Sequence, residues 1–264
     1  MKIAIIGTGN LGLSISKGIM NNKSYTTLYL TKRQPETLAR YKGIPNLHLT
    51  SSNTEAAEHA DILIFAVQPQ NLVAVVLEVL GVLHDKHVLI STATGVKIKT
   101  IETLTGASIP IIRAMPNTAS AVSRSMTCLC ANSVGEKYLP IAEAIFNNLG
   151  ESITIEESLM QPATVLCASG IAFWMRCIRA FTQGGVQMGF DADKALQMTA
   201  YTALGAAALL LEAGTHPEQE IDKVTTPKGC TITGLNEMEH RGLSTAIIKG
   251  LVASYHKINK IAEV

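Results

Sequence analysis

The chain has little charge and few cysteines. Its 264 residues include 22 Lys or Arg and 21 Asp or Glu, so the formal net charge is +1. Because positive and negative side chains are almost equal in number, we expect no basic face that would bind nucleic acid or an anionic membrane. The cysteines, Cys128, Cys130, Cys167, Cys177 and Cys230, are odd in number and lack CxxC or His-rich spacing. We therefore expect reduced, mostly buried thiols, with neither a disulfide framework nor a metal site.

No apolar run in the sequence reaches the ~20 residues that a helix needs to span a bilayer. The longest run, Tyr201 to Leu211, is interrupted by Thr202 and Gly205, so we expect a buried helix there. The N-terminus has a strand pattern where a signal peptide would carry a charged region and a longer apolar stretch. These absences predict a cytoplasmic protein without a membrane partner.

A glycine motif follows the first apolar run of the chain. Gly7, Gly9 and Gly12 form a GxGxxG directly after the residues Ile3 to Ile6. In a strand–turn–helix unit such glycines permit a tight turn, a close backbone approach to a pyrophosphate and close packing of the helix on the sheet. The following helix directs its N-terminal amides at the phosphates. The motif therefore predicts a dinucleotide site, the alternative being a glycine-rich turn without a ligand.

The second apolar run lacks the acidic residue that an NAD site requires. In NAD-binding units an Asp or Glu about 20 residues after the glycines holds the ribose 2′-hydroxyl. Here the run Leu28 to Leu30 is followed by Thr31, Lys32 and Arg33. A carboxylate would repel a 2′-phosphate, whereas a hydroxyl and two cations would bind one. The cofactor predicted for this chain is therefore NADP(H).

Short apolar runs alternate with helical patterns as far as residue 155. Predicted strands cover residues 2–6, 27–30, 62–67, 87–91, 110–113, 126–131 and 152–155. Predicted helices of this part cover residues 11–22, 35–41, 54–59, 70–80, 97–104 and 136–149. This alternation is typical of a parallel sheet covered on both faces. The fold class predicted is α/β, with a Rossmann-like doubly wound sheet over residues 1–155.

The second part of the chain, residues 156–264, has no strand signal. It predicts long apolar helices over residues 158–188 and 191–213, then helices near 217–223, 229–241 and 243–262. Helices that are apolar nearly all round must be covered on every side, and a part of this size offers limited surface to do so. We therefore expect an all-α dimerisation domain covered by a second subunit, rather than a self-contained monomeric bundle.

Four segments have the composition of site loops. Three follow successive predicted strands: Ala66 to Pro69, Ser91 to Gly95 and Arg113 to Thr118. Ligands of doubly wound sheets lie beyond the carboxyl ends of the strands, although each segment alone is also compatible with an ordinary turn. The fourth, Val224 to Thr233, places hydroxyls, a Pro and a Gly before a helix. This segment would bind an anion such as a carboxylate, or it would form an ordinary capped turn between two helices, and the composition favours neither.

Taken in order, these motifs resemble one known family. The GxGxxG, Ala-Val-Gln-Pro from Ala66, Arg-Ala-Met-Pro-Asn-Thr from Arg113 and Thr-Thr-Pro-x-Gly-x-Thr-Ile from Thr225 are similar to those of pyrroline-5-carboxylate reductases. The resemblance runs from residue 1 to about residue 255. It implies reduction of 1-pyrroline-5-carboxylate to L-proline with NADPH, the last step of proline biosynthesis. It also implies a homo-oligomer: a homodimer or, beyond it, a decamer of dimers.

The resemblance also implies roles for individual residues. Cofactor-binding residues would be Gly7, Gly9, Asn10, Leu11, Gly12, Thr31, Lys32, Arg33, Asn53, Ala66, Val67, Gln68, Pro69, Ala93, Gly95, Met115, Pro116 and Asn117. Substrate-binding residues would be Thr226, Gly229, Cys230 and Thr231, which the family takes from the partner chain of the dimer. Thr231 and Ser169 would be catalytic, and no metal is required.

Five positions depart from the family pattern, namely Ala168, Ile171, Phe173, Gln183 and Lys228. They fall in the substrate part of the pattern and leave the cofactor part intact. Two alternatives therefore stay open: an NADP-dependent reductase of another cyclic imine or hydroxy acid, and a non-catalytic NADP-binding protein. The hydroxy-acid version is disfavoured because its relatives use an interdomain lysine, and residues 158–190 contain none.

Overall fold

A computed structural model describes residues 1–262 of the chain, with side chains through residue 259. It contains one eight-stranded sheet in the order β3-β2-β1-β4-β5-β6-β7-β8. The strands are β1 (Lys2–Ile6), β2 (Thr27–Thr31), β3 (Leu47–Thr50), β4 (Ile62–Phe65), β5 (Val88–Ser91), β6 (Ile111–Met115), β7 (Ser125–Ala131) and β8 (Gly150–Thr154). Because strand order reverses beside β1, the sheet is doubly wound, and the predicted fold class is confirmed.

The helices follow the alternation expected from the sequence. They are α1 (Asn10–Asn21), α2 (Asn53–Glu58), α3 (Pro69–Val79), α4 (Ile98–Thr105), α5 (Leu139–Phe146), α6 (Met160–Ala163), α7 (Gly170–Gln187), α8 (Ala192–Ala213), α9 (Pro217–Lys223), α10 (Cys230–His240) and α11 (Leu243–Ala262). The segment predicted as a helix over residues 35–41 is a 3₁₀ helix, Pro35–Tyr41.

Both faces of the sheet are covered by apolar side chains. Alternate residues of β1 enter opposite cores: Ala4 and Ile6 belong to one apolar cluster, and Ile3 and Ile5 to the other. This division follows from the two-residue period of a strand, which directs successive side chains to opposite faces. The continuous apolar runs of the sequence are therefore buried central strands with a core on each side.

Two features of the sheet differ from the sequence prediction. Strand β3 was not predicted, because Leu47–Thr50 is short and only partly buried, so its pattern is weak. Strand β7 runs antiparallel to β6 in a sheet that is otherwise parallel. Only residues 116–124 separate these two strands. A parallel crossover needs a dozen or more residues, so the chain must return antiparallel.

The long helix predicted over residues 158–188 is a series of helical segments. A 3₁₀ turn, Glu157–Leu159, precedes α6, and a π-helical segment, Thr164–Ser169, separates α6 from α7. Pro162 lies within the single turn of α6, where its missing amide removes no interior helix bond. The structure therefore interrupts this helix immediately before Gly170, at a widened turn of the kind often found at functional sites.

The chain forms two compact units. The first comprises Met1–Ser169 and the described residues from Tyr255 to residue 262, and the second comprises Gly170–Ser254. The boundary that we predicted between residues 155 and 156 stays a prediction.

Within the second unit α7 packs against α8, but large apolar side chains on both helices are exposed. Trp174 is 68% exposed and Leu211 is 86% exposed. The expectation that residues 201–211 form a buried helix is therefore wrong for the single chain, because its own helices cover too little of α8. Among the described residues, Glu157–Gln187 and Ala192–Ala213 are long and apolar enough to cross a membrane by length and composition alone.

Candidate active site

The glycine motif forms a tight turn between β1 and α1. Gly7 has a φ of +92°, and a Cβ there would lie 2.5 Å from Val67 Cγ1. A Cβ on Gly12 would collide with the carbonyl oxygen of Gly7. Gly9, by contrast, has no atom within 4 Å of the position that a Cβ would take. Two glycines therefore serve the fold, and the third leaves open space beside the helix N-terminus, as a bound phosphate requires.

A cleft of about 720 Å³ opens at the carboxyl ends of the strands. It is lined by Gly7, Thr8, Gly9, Asn10, Leu11, Lys32, Arg33, Gln34, Ala66, Val67, Gln68, Pro69, Asn71, Thr92 and Thr94. The structure thus brings together three segments that the sequence predicted for the cofactor: the glycine loop, the end of β2 and the turn after β4. Gln34 and Asn71 were missed, because isolated polar residues at turns carry no sequence signal of their own. Thr8 belongs to the glycine motif, and Thr92 and Thr94 belong to the predicted site loop Ser91 to Gly95, but none of the three was assigned to the cofactor individually.

The cleft has the features that a phosphorylated dinucleotide needs. Gly9 caps the N-terminus of α1 without a side-chain hydrogen bond, which leaves amides free for a ligand. The hydroxyl of Thr8 is buried and has no partner among the described residues. Neither Lys32 nor Arg33 forms an ion pair with another side chain in residues 1–259. The donor set therefore fits an anionic cofactor with an additional phosphate.

Thr31 and Asn53 lie behind this cleft instead of lining it. The Thr31 side chain is buried, and its hydroxyl accepts a hydrogen bond from the Gly7 amide at 3.1 Å. The same hydroxyl donates to Asn53 Oδ1 at 2.6 Å, and Asn53 Nδ2 donates to Glu78 Oε2 at 2.9 Å. Because its hydrogen bonds are used within the protein, Thr31 is placed to hold the glycine loop rather than to bind a 2′-phosphate directly.

The predicted nicotinamide residues lie at the ends of β5 and β6. Ala93, Met115 and Pro116 are buried, and Gly95 has a φ of +82° with open space around it. The Asn117 side chain accepts a hydrogen bond from the Ala119 amide at 2.9 Å and donates one to the Cys167 carbonyl at 3.1 Å. Asn117 therefore ties the end of β6 to the π-helical segment that ends at Ser169.

Two thiols lie together near this edge of the sheet. The Sγ atoms of Cys128 and Cys167 are 3.9 Å apart. The hydrogen bond between them, together with burial, raises the pKa of Cys128, whereas the same bond lowers the pKa of Cys167 to about 7. Desolvation raises the pKa of Cys130 to about 11. Cys128 and Cys130 are buried, as predicted, Cys167 and Cys177 are half-buried, and Cys230 is exposed.

The predicted substrate loop lies in the second unit. The Gly229 amide donates to the Thr226 carbonyl at 2.9 Å, which closes a turn directly before α10. Gly229 is the N-cap residue and no side chain caps α10, so the alternative of a turn capped by a side chain is wrong. Lys228 has a φ of +60°, a left-handed conformation that is strained for any side chain. Cys230 is exposed and Thr231 is half-buried at the first positions of α10.

The fold and the cleft together define an NADP-type oxidoreductase with a doubly wound domain followed by a helical domain. Residues 2–95 match the family model "NADP oxidoreductase coenzyme F420-dependent", and residues 157–261 match "Pyrroline-5-carboxylate reductase dimerisation". The chain is 42% identical to pyrroline-5-carboxylate reductase 2 of Dictyostelium discoideum, with 98% of this chain and 92% of that protein covered. The chain belongs to the pyrroline-5-carboxylate reductase family.

Further comparisons agree with this assignment. Pyrroline-5-carboxylate reductase 1 of Dictyostelium discoideum is 44% identical over 97% of this chain, which spans about half (49%) of that relative's length. The structure of a pyrroline-5-carboxylate reductase from Coxiella burnetii superposes with a TM-score of 0.92 at 30% identity, covering 98% of this chain and 97% of that one. The Plasmodium falciparum enzyme with NADP bound gives a TM-score of 0.84 at 25% identity, covering 99% and 98% of the two chains.

Proposed function

We propose that this protein reduces 1-pyrroline-5-carboxylate to L-proline with NADPH, the last step of proline biosynthesis. The observation that carries the proposal is the cleft that joins the uncapped N-terminus of α1 to Lys32 and Arg33. The related Plasmodium falciparum protein was solved with NADP bound, which supports the same cofactor here. When bound, NADPH supplies the hydride that reduces the imine carbon of the substrate.

Different residues of the cleft bind different parts of the cofactor. The amides of Asn10 and Leu11, at the start of α1, and the helix dipole are offered to the pyrophosphate, while the Gly7 and Gly9 amides hold the turn within the protein. Lys32 and Arg33 bind the 2′-phosphate through charge-assisted hydrogen bonds. Thr31 and Asn53 hold the loop from behind. The segments at Ala66–Pro69 and Ala93–Gly95, with Met115–Asn117, frame the nicotinamide and exclude water from it.

The substrate carboxylate is bound by the turn before α10. Thr226 and Thr231 supply hydroxyls, and Cys230 supplies a backbone amide at a helix N-terminus that no side chain caps. Gly229 shapes this turn, because its own amide donates to the Thr226 carbonyl. This proposal is supported by the match of residues 157–261 to the family model, which covers the turn. In a dimer, the turn of one subunit completes the site of the other.

The ring nitrogen of the substrate must be protonated to make the imine carbon electrophilic. The Thr231 hydroxyl orients that proton, since a threonine hydroxyl is too weak an acid to supply it alone. Ser169, half-buried at the end of the π-helical segment, offers a second hydroxyl. The remaining contribution of the protein is orientation and charge stabilisation, which requires no cluster of titratable side chains.

The assembly that we propose is a homodimer, with a decamer of dimers as the higher form, acting in the cytoplasm. The exposed apolar side chains of α7 and α8 support a subunit interface. Residues 157–261, which match a dimerisation model, include both helices that are apolar enough to cross a membrane. We therefore assign these apolar faces to a partner subunit and not to a lipid bilayer.

The test is turnover of purified protein with NADPH and racemic 1-pyrroline-5-carboxylate, compared with 1-pyrroline, which lacks the carboxylate. Hydrogen bonds to a charged group contribute roughly 1.5–3 kcal/mol each, so the loss of two lowers kcat/KM by about two orders of magnitude or more. L-Proline competes with the substrate, whereas pyrrolidine does not. Equal turnover of both imines would contradict the carboxylate site and would favour the alternative of a broader imine reductase.

A further inference from the structure

One carboxylate oxygen joins three segments of the first unit. Glu157 Oε1 accepts a hydrogen bond from Arg113 Nη1 at 2.8 Å and a second from the Ile98 amide at 2.7 Å. Arg113 lies within β6, Ile98 is the first residue of α4, and Glu157 begins the helical stretch that leads to Ser169. A single side chain thus connects a strand, a helix N-terminus and the start of another helical element.

In the ion pair between Arg113 and Glu157, the arginine side chain is buried and the glutamate side chain is partly exposed. The Arg113 side chain is 3% exposed and the Glu157 side chain is 34% exposed. Arg113 Nη2 is buried and has no hydrogen-bond partner among the described residues. Within residues 1–259, Glu157 is the only carboxylate at ion-pair distance from Arg113. The position of the guanidinium is therefore set by this one partner, and removing it would leave a buried charge without compensation.

The segments that Glu157 connects are those proposed to frame the nicotinamide. Met115–Asn117 begins two residues after Arg113 on the same strand. The loop that contains Ala93 and Gly95 ends where α4 begins, at the amide that Glu157 binds. Displacement of either segment would change the geometry at the reacting carbon, and small displacements are costly for group transfer. The glycine loop and Lys32 lie outside this set of contacts.

We propose that Glu157 is a positioning residue for hydride transfer, which holds the strand end after Arg113 and the loop before Ile98 in register around the nicotinamide. The inference rests on the proposed function for the identity of the reaction. It predicts that Glu157 acts on the nicotinamide half of the cofactor and leaves the adenosine half unaffected.

The first test compares Glu157→Gln with the matched control Glu156→Gln. Glu156 is the preceding residue, is exposed, and makes no side-chain hydrogen bond in the described part of the chain. In Glu157→Gln we expect kcat to fall about ten- to a hundredfold, because a misplaced reacting group costs up to that much. With NADPH deuterated at the transferred position, the isotope effect on kcat rises, since hydride transfer becomes more rate-limiting. Binding of 2′,5′-ADP, which probes the adenosine half alone, stays unchanged. Glu156→Gln behaves as the parent protein in every measurement.

The second test needs no substrate. The fluorescence lifetime and anisotropy of NADPH bound to the protein report the order of the nicotinamide. We expect both to move towards the values of free NADPH in Glu157→Gln at saturating cofactor, and to stay unchanged in Glu156→Gln. If the parent protein fails to reduce 1-pyrroline-5-carboxylate, the proposed function is wrong, while these fluorescence values still decide the role of Glu157.

A merely structural role would give a different result. Partial unfolding lowers kcat in proportion to the folded fraction, but it changes neither the isotope effect nor the fluorescence of the bound cofactor. Should Glu157→Gln fail to fold, the double variant Arg113→Met/Glu157→Gln removes the uncompensated charge and is expected to show the same altered isotope effect and fluorescence. An unchanged isotope effect together with unchanged fluorescence, in whichever of these variants folds, would overturn the proposal.

Discussion

Thr31 links the first glycine of the cofactor loop to Asn53. Its buried hydroxyl accepts from the Gly7 amide at 3.1 Å and donates to Asn53 Oδ1 at 2.6 Å. One hydroxyl therefore bonds both to the Gly7 amide, which follows β1, and to the Asn53 side chain, which begins α2. The glycine loop is held in place from behind, through a residue that does not itself line the cleft.

Replacement of Thr31 by Val is expected to weaken cofactor binding and to destabilise the fold. Valine has nearly the same shape, but it leaves the Gly7 amide and the Asn53 side-chain oxygen Oδ1 without their partner, at a cost of about 1–3 kcal/mol. Denaturant unfolding should show the loss of stability, and steady-state kinetics should show a several-fold higher KM for NADPH. Thr27→Val, on the same strand, is the control. Unchanged stability and an unchanged KM would show that the loop is held by other contacts.

Replacement of Lys32 and Arg33 by Ala is expected to reverse much of the preference for NADPH over NADH. Each cation contributes roughly 1.5–3 kcal/mol through a charge-assisted bond to the 2′-phosphate, so the loss of both raises the KM for NADPH by about two orders of magnitude or more. The KM for NADH, which lacks that phosphate, changes little. Arg40→Ala, which removes an exposed cation outside the cleft, serves as the comparison. Equal efficiency of the parent protein with both cofactors would contradict the assignment.

Replacement of Thr231 by Ala is expected to lower kcat and kcat/KM together, while binding of NADPH persists. A hydrogen bond made mainly in the transition state has this signature, and its loss costs about tenfold in rate. Thr233→Ala is a close control, because that hydroxyl bonds back to the Gly229 carbonyl within α10 and is exposed. If kcat is the same in Thr231→Ala and the parent protein, the proton is oriented by another group.

The exposed faces of α7 and α8 are expected to hold the subunits together. Leu204, in the middle of α8, is 61% exposed in the single chain. A charge at this position would be buried in the interface, so Leu204→Glu should lower the molar mass measured by light scattering towards that of one chain and abolish activity. Leu77→Glu is the control, because Leu77 is also an exposed leucine (50% exposed) but lies in the first unit. It should leave the measured molar mass unchanged. A stable, active monomer of the parent protein would contradict this prediction.

The sequence alone determined the class of fold and the cofactor segments. The glycines that follow Ile6, the absence of an acid after Leu30 and the loss of strand signal after residue 155 depend on local backbone sterics, charge and periodicity. These properties depend on residues that are close together in the sequence. For the same reason the sequence could place the turns after β4 and before α10, where Pro and Gly limit the backbone.

Only the tertiary structure decided which of these residues face the cleft and which support it. The local pattern suggests that Thr31 binds a phosphate, yet its hydroxyl is used by Gly7 and Asn53, which lie 24 and 22 residues away along the chain. Glu157 was not predicted, because its partners Arg113 and Ile98 are 44 and 59 residues distant and no periodicity connects them. The exposure of α8 likewise depends on what packs across space. The hydrogen-bond partners and the burial of a side chain depend on residues that are distant in sequence and close in the fold, so a pattern of neighbouring residues does not reveal them.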